Sequence, residues 1–285
     1  MAGMRPVALF TALLLCGQPE YVFADEAVER GAYLVTAAGC LTCHTDTEND
    51  GEPWAGGHAL ETPYGVYYSP NITPDIATGI GSWSETDFVR ALQEGSAPDG
   101  KHYYPAFPYP SYAGITEQDA ADMFAYMQSV EPVTQENRPH ELKWYIPGRW
   151  SMGIWKRLFS PWEYPQSATG DELTQRGAYL VRHLGHCGEC HTPRDIFGAL
   201  KTDLELAGSP KASAGGGAPN ITPDREDGIG TWSEEELIFF LELGMYPDGD
   251  FAGGAMTAVV DEHTALLTDQ DRLAIARYLQ QIKPD

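Results

Sequence analysis

The pentapeptide Cys-Xaa-Xaa-Cys-His occurs twice in this chain of 285 residues, at positions 40–44 and again at 187–191. In each copy the two cysteines lie about one helical turn apart, and a histidine follows the second cysteine directly. This spacing attaches a c-type haem, because both thiols can reach one porphyrin while the imidazole lies under the iron. The residues expected to bind two covalent haem c groups are Cys40, Cys43, Cys187 and Cys190, with His44 and His191 as axial iron ligands.

Two other kinds of site share part of this pattern. A Cys-Xaa-Xaa-Cys pair can be half of a zinc site or a thioredoxin-like redox pair. A four-cysteine zinc site brings its second pair back within some tens of residues, whereas here a whole domain's length separates His44 from Cys187. A redox pair does not need the trailing histidine that both copies carry. Haem attachment is therefore the interpretation that we follow.

The first 24 residues are typical of a secretory signal. They have a positive start at Arg5, an apolar stretch over residues 7–15 and small-residue spacing before Asp25. Cys16 lies within this segment, and the bulky Leu15 before it disfavours a lipoprotein cleavage site. We therefore expect an exported protein that begins at Asp25 and is located in the periplasm.

Acidic side chains outnumber basic ones by 41 to 18, which gives a formal net charge of −23. This excess argues against nucleic acid or an anionic membrane surface as a partner. It favours a redox protein that presents a basic docking patch, although general solubility explains the same charge. After the signal, no apolar run approaches the length that a membrane span needs.

The two halves of the sequence repeat one another in the same order. The shared segments are Arg-Gly-Ala-Tyr-Leu-Val at 30–35 and 176–181, Pro-Asn-Ile-Thr-Pro-Asp at 70–75 and 219–224, and Gly-Ile-Gly-Xaa-Trp-Ser-Glu at 79–85 and 228–234. A helix is predicted before each haem motif, another after each of Trp83 and Trp232, and a last one in each repeat behind the N-cap residues Thr116 and Thr268. Strand patterns are few. The sequence therefore predicts an all-α fold with domains at 25–130 and 171–285.

Residues 131–170 form the linker between the predicted domains and are rich in proline and aromatic residues. Four of the seven tryptophans lie here, at positions 144, 150, 155 and 162. We expect this segment to pack across both domains, because a freely mobile linker would not be so aromatic. An exposed contact for a partner or a membrane over residues 150–159 is the alternative.

The repeat also predicts which side chain ligates each iron from the distal side. Met256 follows a glycine-rich stretch 65 residues after His191, and methionine is a common sixth ligand in electron-transfer cytochromes. The Pro-Asp-Gly segments at 98–100 and 247–249 fix an offset of 149 between the repeats, and adding 149 to 107 gives 256. Phe107 therefore stands where the first repeat should carry its methionine.

Several residues remain as candidates for the sixth ligand of the first haem. Met123 and Met127 align with apolar positions of the last helix, Ile275 and Leu279, which favours a core role. The other candidates are His102, His58 and Met152. An open site with no distal protein ligand is the last alternative.

These motifs resemble the cytochrome c subunits of bacterial membrane-associated alcohol and gluconate dehydrogenases, together with their freestanding dihaem relatives. Further segments that carry the resemblance are Thr-Pro-Tyr-Gly at 62–65, Tyr-Pro-Ala-Phe-Pro-Tyr-Pro at 104–110 and Gly-Gly-Ala-Met at 253–256. The resemblance covers essentially the whole chain after the signal. It implies two tandem class I cytochrome c domains joined by the linker, with Met256 as the distal ligand of the second haem.

The resemblance also bears on side chains and on assembly. It places Trp83, Trp232, Asn71 and Asn220 beside the haem edges, where they could hydrogen-bond propionates. Many relatives have a methionine at the position of Phe107. Relatives in dehydrogenase complexes often carry a third haem domain, which this sequence lacks, so a carrier or subunit with two haems is expected.

Two functions are consistent with these features. The first is electron transfer from a dehydrogenase to a downstream cytochrome or oxidase, which needs no catalytic acid or base and predicts no independent catalysis. The second is a dihaem enzyme or sensor that binds a small ligand at the first haem and uses the second haem as an electron relay. These two functions differ in whether the iron of the first haem has a sixth ligand from the protein.

Overall fold

The computed structural model describes residues 20–159, 170–210 and 216–282 of the chain, with side chains from Asp25 onward. Most of the predicted signal, including Cys16, lies outside the described residues. In the part of the chain up to residue 159 the helices are α1 Glu20–Ala37, α2 Cys40–Cys43, α3 Glu85–Glu94, α4 Tyr109–Tyr112, α5 Glu117–Ser129 and α6 Met152–Phe159. From residue 170 onward they are α7 Glu172–Tyr179, α8 Gly188–His191, α9 Glu234–Leu243, α10 Ala255–Glu262 and α11 Asp269–Gln281. Helix α7 continues into a π-helical turn at Leu180–Leu184.

The predicted helix starts are confirmed by their cap geometry. Thr116 and Thr268 accept hydrogen bonds from the backbone N–H groups of Asp119 and Asp271, at the first turns of α5 and α11. Helices α3 and α9 begin with capping boxes at the serines that follow Trp83 and Trp232. Each of these caps satisfies backbone donors that the first helical turn leaves unpaired.

A glycine allows the first and last helices of each half to cross in close contact. Helix α1 packs on α5, and α7 packs on α11. A Cβ atom on Gly31 would lie 1.9 Å from the Asp122 carbonyl oxygen, and one on Gly177 would lie 2.0 Å from that of Ala274. Only glycine fits either crossing, because both obstacles are backbone atoms.

The all-α expectation is wrong in one respect, because the first half contains a small antiparallel sheet. Strands β1 Ala59–Thr62 and β2 Gly65–Tyr68 form a hairpin, and β3 Glu141–Leu142 from the predicted linker pairs with β2. The turn of the hairpin is the Thr-Pro-Tyr-Gly segment, in which Gly65 has a φ of +129°. Described residues are otherwise mainly helix and loop.

The predicted linker packs on both halves through helix α6. Lys156 is buried and donates hydrogen bonds to the carbonyl oxygens of Glu94 and Gly95, at the end of α3. The Trp155 indole N–H donates to the Phe197 carbonyl oxygen at 2.8 Å in the second half. The expectation that the linker tryptophans are packed is wrong for two of them, because Trp144 and Trp150 are 94% and 74% exposed. Trp162 lies outside the described residues.

The apolar core runs continuously through both halves and includes Leu34, Met123, Val181 and Ile275. A separate apolar cluster gathers Tyr67, Tyr104 and Met152 between the sheet, the loop before α4 and α6. Among the helices of the described residues, none is both long enough and apolar enough to cross a bilayer.

Candidate haem sites

In the first motif, α2 holds both cysteines and His44 follows at its end. The Nδ1 atom of His44 lies 2.8 Å from the carbonyl oxygen of Pro70. A carbonyl oxygen only accepts, so Nδ1 carries the proton and the lone pair remains on Nε2. Burial lowers the pKa of His44, which keeps the ring neutral. A neutral imidazole with a fixed tautomer is the form that ligates iron.

The second motif repeats this arrangement. His191 ends α8, and its Nδ1 lies 2.7 Å from the carbonyl oxygen of Pro219. Burial lowers the pKa of His191 as well. Pro70 and Pro219 are the first residues of the two Pro-Asn-Ile-Thr-Pro-Asp segments, so a role of the repeated proline is to supply the carbonyl group that orients each histidine.

The cysteines do not resemble a redox-active pair. Burial raises the pKa of Cys40 and of Cys187 to about 12, and the neighbouring cysteine of each motif adds to the shift. Reactive thiols in Cys-Xaa-Xaa-Cys redox sites have lowered pKa values. Both cysteines also pack against the apolar core, alongside Trp83 and Trp232.

The donor set fits a c-type haem at each motif. Two uncharged thiols stand within one turn of helix, and the next residue is an imidazole with Nε2 available. Haem would be held by Cys40, Cys43 and His44 at the first site and by Cys187, Cys190 and His191 at the second. It would supply a one-electron iron centre whose potential depends on the axial ligands and on burial.

Met256 lies in the first turn of α10 and not in a loop as its glycine-rich surroundings predict. The chain enters this helix through Gly254, whose φ of +62° and ψ of −141° are accessible mainly to glycine. The side chain is partly exposed. Its assignment as the distal ligand of the second site stays a prediction.

Phe107, at the equivalent position of the first half, is surrounded by aromatic rings. Its centroid lies 5.6 Å from that of Tyr103 and 5.7 Å from that of Tyr112. The Tyr112 hydroxyl donates to the Ala38 carbonyl oxygen, two residues before Cys40. Burial, followed by Cys40 and Cys43, raises the pKa of Tyr112. The Phe107 loop therefore lies beside the first attachment motif.

Three methionines and His102, which the sequence offered as sixth ligands at the first site, are packed against other parts of the protein. The His102 ring contacts α6, with Nδ1 3.2 Å from Lys156 Nζ and Nε2 against Gly153. Met123 and Met127 are at most 1% exposed within the main core, and Met152 is buried against Tyr67 and Tyr104.

The expectation that Asn71 hydrogen-bonds a propionate is not supported, because the protein itself uses its side-chain amide. Its Nδ2 donates to Thr78 Oγ1 and to the Val133 carbonyl oxygen, while Oδ1 accepts from Thr73. In the second half, Asn220 Oδ1 accepts from Thr222 in the same way. These asparagines therefore order the loop that follows Pro70 and Pro219.

Sequence reasoning did not anticipate that the two attachment motifs lie close together. Burial raises the pKa of Cys43, and Cys190 and Glu262 raise it further. Thr42 Oγ1 lies 2.7 Å from His263 Nε2 in the second half. Ser111 Oγ in turn donates to Glu189 Oε1 at 2.8 Å. Thr42 and Glu189 are equivalent positions of the two motifs, and His263 and Ser111 are equivalent positions before the last helix of each half. Each motif therefore contacts the same place in the other half.

Two tyrosines extend this reciprocal pattern. The Tyr33 hydroxyl donates to Asp271 Oδ2 at 2.6 Å at the start of α11. The Tyr179 hydroxyl donates to Asp119 Oδ2 at 2.5 Å at the start of α5. Tyr33 and Tyr179 are the same residue of the repeated Arg-Gly-Ala-Tyr-Leu-Val segment, so the segment has the same contact in each half.

Mainly helical structure around two Cys-Xaa-Xaa-Cys-His motifs defines the class of c-type cytochromes. The sequence profile of the family described as cytochrome c matches residues 28–131. The chain is 41% identical to a protein named diheme cytochrome c-type from Cereibacter sphaeroides, over 89% of this chain and 85% of that relative. The chain therefore belongs to the cytochrome c family, in the group that contains dihaem cytochromes and the cytochrome c subunits of dehydrogenases.

Two longer relatives carry dehydrogenase names. The gluconate 2-dehydrogenase cytochrome c subunit of Pantoea cypripedii is 43% identical over 90% of this chain and 60% of its own length. The cytochrome c subunit of the quinone alcohol dehydrogenase of Gluconobacter oxydans is 38% identical over 91% of this chain and 55% of its own length. The chain thus spans little more than half the length of these subunits.

Proposed function

We propose that this chain is a periplasmic dihaem c-type cytochrome that carries electrons from a dehydrogenase partner to a downstream cytochrome or oxidase. Two tandem class I cytochrome c domains, at 25–130 and 171–285, would each hold one covalent haem. The observation that carries the proposal is the same donor set at both motifs, with each histidine oriented by a proline carbonyl group.

Transfer between the haems is supported by the interface between the halves. Thr42, in the first motif, and Glu189, in the second, each bond a residue of the other half, so the two porphyrins would lie close together. Electron transfer needs only proximity and suitable potentials, and the residues between the motifs would maintain that proximity. No acid–base step is required.

The partners are proposed from charge and from the relatives. Homologues are cytochrome c subunits of dehydrogenases, which supports a dehydrogenase as the electron donor. The net charge of −23 favours an acceptor with a basic face. Ile154 and Leu158, four residues apart in α6, and Trp150 in the turn before this helix are all exposed and offer an apolar contact for a larger complex.

Haem attachment is tested by producing the full-length precursor in a host that matures c-type cytochromes. Denatured protein is expected to retain two haems per chain, measured by pyridine haemochrome absorbance and by mass. The paired variants Cys40→Ala/Cys43→Ala and Cys187→Ala/Cys190→Ala should each retain one. Haem that extracts into acidified solvent would overturn the proposal.

Electron transfer is tested with the reduced holoprotein. Its oxidation by a small basic single-haem cytochrome c, followed by stopped-flow absorbance, should slow steeply as salt rises, because opposite charges steer the encounter. A rate that does not depend on salt would argue against a basic acceptor. Cell fractionation of the producing strain tests the periplasmic location.

A further inference from the structure

We propose that the first haem has no distal protein ligand and that it binds a small uncharged π-acceptor, of the class of carbon monoxide and nitric oxide, on the side of Phe107. The inference rests on the proposed attachment of haem at Cys40, Cys43 and His44. It assigns that site a ligand-binding role beyond electron transfer.

Phe107 cannot serve as an iron ligand. It takes the place that Met256 has in the second half, and a phenyl ring has no lone pair to donate to iron. Pro108 follows it directly as the N-cap of helix α4, which has four residues, whereas α10 in the second half has eight. The loop therefore differs from its counterpart in backbone as well as in side chain.

None of the methionines is in a position on the Phe107 loop. Of the seven in the chain, Met1 and Met4 lie in the predicted signal, and Met245 and Met256 belong to the corresponding loop of the second half. The other three are enclosed by protein in the positions given above, at 8% exposure or less. None of these three is on the Phe107 loop.

The remaining histidines have other contacts in the protein. Apart from the two proximal residues and His102, five remain. His140 Nδ1 accepts from the Tyr68 backbone N–H in the sheet region. His58 pairs through its backbone with Ser69, next to Pro70, and so lies on the Nδ1 side of His44.

The last three histidines lie at the interface of the halves. His183 Nδ1 bonds the Ser111 carbonyl oxygen, and His186 Nε2 bonds that of Ala38. His263 Nε2 bonds Thr42, and its ring covers Gly39. The last two contact the attachment segment itself, at residues 38–42, and the His186 ring also packs edge-on against Tyr112, with the two centroids 5.4 Å apart.

The chemical class of the ligand follows from the surroundings. The rings of Tyr103 and Tyr112 flank Phe107, and such walls disfavour an anion that must lose its water on entry. Ferrous haem binds carbon monoxide or nitric oxide through a lone pair that the ligand donates to the iron. No bond breaks and no co-reactant is consumed, so this is a binding equilibrium.

The test uses the mature holoprotein with both haems attached. Ferric protein should give a high-spin electron paramagnetic resonance signal from about half of its haem, because a five-coordinate site has a weak axial field. After reduction with dithionite, titration should end at about one carbon monoxide per chain. Two low-spin haems and no carbon monoxide binding would overturn the proposal.

Paired variants locate the ligand. Phe107→Met should convert the first haem to low spin and abolish carbon monoxide binding, whereas the matched control Phe107→Leu should still bind about one per chain. Met256→Phe should raise binding to about two per chain. If Phe107→Met still binds carbon monoxide while Met256→Phe does not add a site, the assignment is wrong.

The outcome is distinguishable from failure of haem attachment. Two covalent haems with no open site would overturn only the inference. A chain without covalent haem at the first motif would overturn the proposed function itself. The wild-type titration decides the matter even if a variant fails to fold.

Discussion

The two halves agree on the proximal side of each haem motif and differ on the distal side. His44 and His191 both bond a proline carbonyl oxygen, at 2.8 and 2.7 Å, and both motifs follow a helix whose glycine crosses the last helix of its half. On the other side, one half has Phe107 in the loop immediately before Pro108, and the other has Met256 in the first turn of α10. Under the proposed attachment, covalent haem would constrain the proximal residues to one geometry, whereas the distal position could change without loss of the cofactor.

A second difference concerns support from outside each half. The sheet and α6 pack mainly against the first half, where Lys156 bonds carbonyl groups at the end of α3. Both helices end at a glycine in the left-handed region, Gly95 after α3 and Gly244 after α9, so the bonds from Lys156 are what distinguish the two ends. The loop that carries Phe107 is thus the one braced by the linker, through the bond from Arg149 Nε to the His102 carbonyl oxygen.

The largest expected effect comes from the helix crossings, where the halves should respond equally. Gly31→Ala and Gly177→Ala each place a Cβ within about 2 Å of a backbone oxygen. We expect each to lower the free energy of unfolding by about 3 kcal/mol or more, because neither helix can yield locally. Denaturant unfolding of the holoprotein measures it. Gly253→Ala, which meets nothing within 4 Å, is the control.

The reciprocal tyrosines should come next. Tyr33→Phe and Tyr179→Phe each remove a hydroxyl–carboxylate hydrogen bond, which typically contributes about 2 kcal/mol, together with the weaker bond that the hydroxyl accepts from the backbone N–H of Thr268 or Thr116. The two losses should be similar, and they should add in the double variant if the contacts are independent. Urea unfolding tests this, with the half-exposed Tyr145→Phe as a control. Unequal losses would show that the interface is not symmetric in energy.

A pH dependence follows from Asp271. Burial opposes ionisation, but hydrogen bonds from Arg176 and Tyr33 prevail and hold the pKa of Asp271 below its ordinary value. Its stabilising contribution is therefore complete above the unfolded-state pKa of about 3.9 and is lost as pH falls through the lower folded value. The difference in Tm between wild type and Asp271→Asn should be present at pH 7 and shrink below about pH 4. A constant difference would refute it.

The smallest effects belong to the two capping boxes. Ser84→Ala and Ser233→Ala each remove the acceptor for an N3 backbone N–H, at a typical cost of about 1 kcal/mol. Ser84→Asp and Ser233→Asp keep an acceptor and should recover most of the loss. Thermal unfolding of all four variants gives the comparison. An alanine variant as stable as wild type would show that the serine cap does not stabilise that helix.

The sequence predicted what depends on local chemistry. Helix starts at Thr116 and Thr268 were confirmed because an N-cap needs only its own next three residues. The hairpin was missed because the sheet is completed by Glu141–Leu142, some 75 residues along the chain from β2. Met256 was expected in a loop because its glycines obscure the helix that begins immediately after them.

At the candidate sites, too, the sequence predicted local features and missed contacts between distant residues. Motif spacing predicted the cysteines and histidines as haem-binding residues, and alignment of the repeats predicted that Phe107 takes the position of Met256. The family resemblance suggested that Asn71 could hydrogen-bond a propionate, because its actual partner, the carbonyl oxygen of Val133 62 positions away, leaves no local signal. The Tyr33–Asp271 contact joins residues 238 positions apart and became visible only in three dimensions.

The reciprocal tyrosine contacts make the interface self-complementary. Each half carries both a donor tyrosine and an acceptor aspartate, so two separate copies of one half would form a symmetric dimer through the same surface. Such a dimer would dissociate on dilution, whereas joining the halves in one chain gives each a fixed, high effective concentration of the other. The spacing of the two redox centres would then be independent of how much protein the cell makes.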